Sequence, residues 1–266
     1  MSAAVLACGA IPPLGVHAAE PVDVELVLAV DVSLSMSRTE LEIQRRGYAL
    51  ALTNDEVVKA ITEGVHGRIA LTYVEWAGQT TQHVVVPWTI VSSREEAKAF
   101  ADQLISNPPA SARRTSISSA LLFAGDLFAE SGVRGLRRVI DVSGDGANNQ
   151  GPPVNDARDE IVARGIVING LPLMTSGGDP SGLFDIADLD IYYTRCVIGG
   201  PGAFMIPVND WTQFPEAIRR KLVLELAGGA QDGEGALPIL RVAEQPYDCQ
   251  VGEKVWRDRN WLFDSK

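Results

Sequence analysis

The chain has 266 residues, 46% hydrophobic and 21% charged, a balance that excludes a disordered polypeptide and is enough for a sizeable core. Its net charge of −11 argues against nucleic acid as a partner, since phosphate recognition needs clustered Lys and Arg. No stretch reaches the ~18 consecutive apolar residues of a membrane span, so no transmembrane segment is expected.

Residues 1–19 carry no Lys, Arg, Asp or Glu and are rich in Ala, Val, Leu and Gly. Val16-His17-Ala18 offers small residues where a signal peptidase inspects the chain, so residues 1–19 read as a secretory signal peptide. Cys8, after Leu6-Ala7, fits a lipoprotein box poorly. The apolar run Val24–Val30 then predicts a buried parallel strand, delivering Asp31-Val32-Ser33-Leu34-Ser35 to the carboxyl edge of a sheet. Thr39-Glu40-Leu41-Glu42 is a capping box that opens a helix to about Leu52, and Asn54 caps a second helical piece ending at Gly64. Arg68–Val74 is a second strand. Thr81–Val86 follows too closely for a crossover helix, which implies a hairpin and an antiparallel edge strand.

Ser93-Arg94-Glu95-Glu96 opens a further helix to about Ile105, broken by Asn107-Pro108-Pro109. Ser116–Glu130 has helical periodicity through Ile117, Ala120, Leu121, Ala124, Leu127 and Phe128. Arg138–Ser143 is a strand ending at Gly144-Asp145-Gly146. Val154–Arg164 is a helix, Gly165–Leu171 a strand, Leu183–Tyr193 a weaker helix, Ala203–Val208 a last strand and Trp211–Ala227 a long amphipathic helix. From Gly228 to Lys266 no strong period appears, and this stretch reads as a tail that packs back. Such alternation predicts an α/β fold: a doubly wound, mostly parallel six-stranded sheet, order 3-2-1-4-5-6, with strand 3 the antiparallel edge and helices on both faces. In that order the first and fourth strands are neighbours, so Asp31, Ser33, Ser35 and Asp145 meet at one edge. An all-oxygen cluster of this kind suits a hard cation such as Mg²⁺ rather than zinc.

With Cys8 in the leader, Cys196 and Cys249 remain, an even pair that in an exported chain is most simply a disulfide; two unrelated buried thiols are the alternative. The chain has no CxxC, and His66 and His83 lack zinc spacing.

Asp31-x-Ser33-x-Ser35, a lone Thr115 and Ser143-Gly144-Asp145-Gly146 resemble the metal-ion-dependent adhesion site (MIDAS) of von Willebrand factor type A (vWA) domains. The resemblance covers residues 23–227 and leaves 228–266 as the tail. Arg114–Ser118, Val139–Asn149 and Cys196–Phe204 are similar to a bacterial exported subfamily of unassigned function. The resemblance implies that Ser33, Ser35 and Thr115 bind the metal directly, and that Asp31 and Asp145 bind it directly or through water. Mg²⁺ is the expected ion, with Mn²⁺ or Ca²⁺ as alternatives. Neutral hydroxyls leave a dication under-neutralised, so an acidic group on a protein partner can replace a bound water.

Taken singly, Ser33 and Ser35 could cap a helix and Asp145 could sit in a turn; the five together at this spacing favour the metal. Arg113 and Arg114 either pair with acidic neighbours or meet an anionic partner, and Asn148 and Asn149 stand at the same rim. Glu75 is expected there as a solvated carboxylate, and Asp141, inside a strand, as a hydrogen-bonded structural group. Three functional classes follow. The first is an exported, periplasmic or secreted, non-enzymatic binding protein. The second is a metal-dependent hydrolase with Glu75 as base. The third, a nucleotide enzyme, lacks both a glycine-rich turn after the first strand and a P-loop.

Overall fold

Strand β1 (Glu20–Asp31) is buried along nearly its whole length, and its side chains alternate between two separate cores. Val24, Leu26, Leu28 and Val30 face one; Val27 and Ala29 face the other, as the two-residue period of a strand requires. The computed structural model describes residues 19–175, 186, 188–227 and 247–264. Residues 1–18 of the expected signal peptide, including Cys8, residues 228–246 and 265–266 of the tail, and part of the helix expected at 183–193 lie outside the described residues.

Beside β1 run β2 (Ile69–Trp76) and β4 (Val133–Gly144), both parallel to it; β3 (Gln82–Val91) pairs antiparallel with β2, and β5 (Val167–Pro172) parallel with β4. The order is β3-β2-β1-β4-β5, as the alternation predicts, with the hairpin strand at one edge. The first core is closed by α1 (Arg38–Leu52), α2 (Asp55–Thr62), α3 (Arg94–Ser106) and α7 (Phe214–Leu226). The second is closed by α4 (Ile117–Leu127), α5 (Val154–Ala163) and α6 (Leu189–Tyr192).

The expected sixth strand is present only as isolated bridges. Residues 204–208 run parallel to β5 at a constant offset, with bridges Gly170↔Met205 and Leu173↔Val208. Gly170 N donates to Phe204 O, Ile206 N to Gly170 O, Val208 N to Pro172 O and Met174 N to Val208 O. The missing rung falls at Pro172, which has no N–H to give, so the ladder is interrupted. Pro207 sits where its nitrogen faces away from β5, the position an edge strand tolerates.

Helix α1 starts two residues earlier than expected. Ser37, not Thr39, is the cap: Glu40 N donates to Ser37 Oγ at 3.3 Å and Ser37 N to Glu40 Oε2 at 2.7 Å. Both residue pairs satisfy the capping pattern. The earlier one prevails because Met36 N closes a turn onto Ser33 O, leaving Ser37 as the first extended residue. At α3, Ser93 caps as expected, but the Glu96 carboxylate accepts from Ser92 rather than Ser93. The tail contains a helix that its sequence pattern hid, α8 (Val251–Asp264). Apolar residues at 251, 255 and 256 have helical spacing, but Gly252 and the charged run Arg257-Asp258-Arg259 mask it.

Candidate metal centre

The end of β1 turns sharply. Asp31 Oδ1 accepts from Ser33 N at 2.6 Å, an Asx turn that directs the next hydroxyls to one side. Ser33 Oγ and Ser35 Oγ lie 2.8 Å apart, and Ser35 Oγ donates to Asp145 Oδ1 at 2.8 Å. Asp145 follows β4, which pairs directly with β1, so two adjacent strand ends bring four of the five expected ligands together.

The fifth, Thr115, arrives on a separate loop that is hydrogen-bonded to both others. Leu34 N donates to Ala112 O and Ala112 N to Val32 O, forming an isolated parallel bridge at Ser33. Asn149 N donates to Thr115 O at 2.8 Å, and Thr115 N returns to Asn149 Oδ1 at 3.0 Å. Buried Thr115 therefore stands beside the Asp145–Asn149 turn.

Asp31 is fully buried, and its second oxygen, Oδ2, is a buried acceptor with no hydrogen-bond partner. A Cβ on Gly144 would lie 2.9 Å from that oxygen, so only glycine lets β4 pass this close. Burial, and then the charge of Asp145, hold the Asp31 carboxyl well above the usual carboxylate range. A dication offsets both effects at once. Two carboxylates, two adjacent hydroxyls and a threonine form an oxygen-only donor set that fits Mg²⁺ or a similar ion, with water completing the shell. Among the described residues no group of three or more His, Cys, Asp or Glu side chains gathers as an alternative metal cluster.

The surrounding residues depart from expectation at Glu75. It is not a solvated rim carboxylate: it is 2% exposed and ion-paired with buried Arg45, whose Nη2 lies 2.6 Å from Oε1. The other oxygen, Oε2, accepts from Ala110 N at 3.2 Å. Both of its oxygens are engaged in these contacts rather than exposed at the rim. It anchors the loop leading to Thr115. Arg45 also donates to the carbonyls of Leu104 and Asn107, tying the end of α3 to the same loop.

Asn148 and Asn149 are struts. Asn149 holds Thr115, while Asn148 Oδ1 accepts from Ser118 N at 3.0 Å and fixes the first turn of α4. Arg114 neither pairs with a carboxylate nor points free. It has a positive φ of 77°, and its guanidinium stacks on Trp256 of α8, 3.5 Å from the ring centroid. Asp141 lies within the sheet, ion-paired with buried Lys221 of α7 at 2.8 Å. Cys196 and Cys249 are joined.

This sheet order, with the hydroxyl-rich turn after the first strand and the second carboxylate after its parallel neighbour, is the fold of von Willebrand factor type A domains. Solved structures agree on the fold. Proximal thread matrix protein 1 from the mussel byssus aligns with a TM-score of 0.55 at 14% identity, over 79% of this chain and 48% of that one. A structure of the same mussel protein, described as having a zinc-occupied MIDAS motif, aligns at 0.52 and 16% identity, over 79% and 49%. The pilus adhesin SpaC from Lactobacillus rhamnosus GG, in an open conformation, aligns at 0.55 and 12% identity, over 78% and 30%. This chain thus spans about half the length of the mussel structures and less of the adhesin. No curated protein matches it. It belongs to the family described as protein of unknown function DUF1194, whose model matches residues 21–230.

Proposed function

We propose that this chain is an exported, periplasmic or secreted binding protein. In this reading Asp31, Ser33, Ser35, Thr115 and Asp145 hold one divalent cation, Mg²⁺ in the first instance, which engages an acidic group on a protein partner. The observation that carries it is the buried, unpartnered Oδ2 of Asp31 beside a second carboxylate and two touching hydroxyls. An uncompensated buried charge is costly, and a cation is the simplest compensation. The mussel protein described with a zinc-occupied MIDAS and the pilus adhesin, both similar in fold, support the same reading. Export is supported by the leader-like residues 1–19 and by the disulfide, since such bonds persist in oxidising compartments. No helix among the described residues is long and apolar enough to cross a membrane.

Calorimetry with Mg²⁺ and Mn²⁺ on the protein from residue 20 onward tests the reading. One ion per chain is expected, with binding lost in Asp31→Ala combined with Asp145→Ala. Unchanged binding in that double variant would sink the assignment. Chelation or Thr115→Ala should release any partner captured from the envelope fraction.

A further inference from the structure

Helix α8 lies beyond the last core helix, yet it reaches the two loops that carry Thr115 and Asp145. Its Trp256 ring lies under Arg114, the residue immediately before Thr115. Arg114 is the one non-glycine among the described residues with positive φ, a conformation strained for a side-chain-bearing residue that needs outside support. A guanidinium over an indole face supplies such support. At the other loop, Glu253 Oε1 accepts from Asn148 Nδ2 at 2.7 Å. Gly252 packs so closely that a Cβ there would collide with the Asn148 carbonyl. Asn148 N donates to Tyr192 Oη at 3.1 Å, and the Tyr192 ring meets Tyr247 just before α8. The Cys196–Cys249 bond fixes the start of this assembly to the segment following α6.

Resting on the metal reading above, we propose that α8 is a clamp for that centre. Trp256 acts through Arg114 on Thr115. Glu253 and Gly252 act through Asn148 on the Asp145–Asn149 turn. Trp256 and Glu253 are positioning residues that hold in register the two loops carrying Thr115 and Asp145. Supports of this kind typically contribute 10–100-fold to metal affinity.

The test uses the protein from residue 20 to its end, with the disulfide intact. Free Mn²⁺ is measured by electron paramagnetic resonance during titration, and amide exchange is followed in metal-free protein. Trp256→Ala should weaken Mn²⁺ binding by about tenfold. It should also speed exchange at the Thr115 and Ser118 amides, which Asn149 and Asn148 hold. Trp256→Phe, which keeps a ring for Arg114, should restore most of both. Equal affinity and equal exchange in Trp256→Ala and wild type would overturn the clamp, as would Trp256→Phe behaving like Trp256→Ala. Should Trp256→Ala not fold, Glu253→Leu read by the same two measurements decides. Wild-type protein that binds no Mn²⁺ overturns the metal reading, while the exchange measurements still decide the clamp.

Discussion

Glu75 shows how one side chain can be assigned to the right place and the wrong task. Its position at the end of β2 puts it near the sheet edge, as its place in the sequence implies. What the sequence does not display is Arg45, thirty residues away, whose guanidinium meets Glu75 Oε1 through both Nε, at 2.8 Å, and Nη2. Both side chains are buried, so removing one partner leaves an uncompensated charge, which typically costs 3–5 kcal/mol. Arg45→Leu should therefore lower unfolding free energy by about that amount in urea denaturation. Adding Glu75→Leu should recover part of the loss, because the orphan carboxylate goes with it. A single variant as stable as wild type would mean that the pair is solvated in solution. Because Glu75 also holds Ala110 N, Arg45→Leu should loosen the loop that carries Thr115.

Among the elements, those with periodic burial were legible and those held by side chains of distant segments were not. β1 reads as a fully apolar run because a central parallel strand is covered on both faces. The β2–β3 hairpin is legible from loop length alone. That Asp31, Ser33, Ser35 and Asp145 would meet was legible through topology, since adjacent strands must present their carboxyl ends together. The broken sixth strand was less so, because the interruption arises at Pro172 on its neighbour rather than within 204–208. Helix α8 escaped altogether, for its apolar residues are split by the charged run 257–259 and it is held by the disulfide, by Arg114 and by Asn148. Its dependence on the covalent tie can be measured. The bond joins residues 53 apart, and closing such a loop is worth about 4 kcal/mol in the chain-entropy model. Cys196→Ser with Cys249→Ser should lower stability by up to about that figure and speed amide exchange in α8 first. An unchanged denaturation midpoint would show that noncovalent contacts alone seat the helix.

For the molecule as a whole, the acidic balance meets a core that contains charge. Asp141 on β4, with Lys221 and Glu225 on α7, forms a buried cluster, and Asn169 of β5 donates to Glu225 at 3.1 Å. Burial works against the Lys221 ammonium, but the two carboxylates more than offset it and raise its pKa, so the lysine stays charged. Lys221 is shared between the two buried carboxylates. Burial, followed by the nearby Glu225, pushes Asp141 up to about 7 despite the attraction of Lys221. Tyr48, facing Asp141 from α1, is likewise pushed up, first by its burial and then by that carboxylate. In the unfolded chain Asp141 titrates near 3.9. Between about pH 4 and pH 7 the folded protein therefore holds a proton that the unfolded chain has released, and stability falls as pH rises. The contribution is complete below about pH 4 and gone once pH has passed through 7. Asp141→Asn keeps the shape without the titration, so denaturation midpoints of wild type and variant, measured with chelator present from pH 4.5 to 8, should lie closest at low pH, separate progressively as pH rises and differ by a constant amount above about 7, with the variant the more stable. Parallel curves for the two proteins would mean that Lys221 satisfies Asp141 and that Asp141 stays ionised in the folded protein.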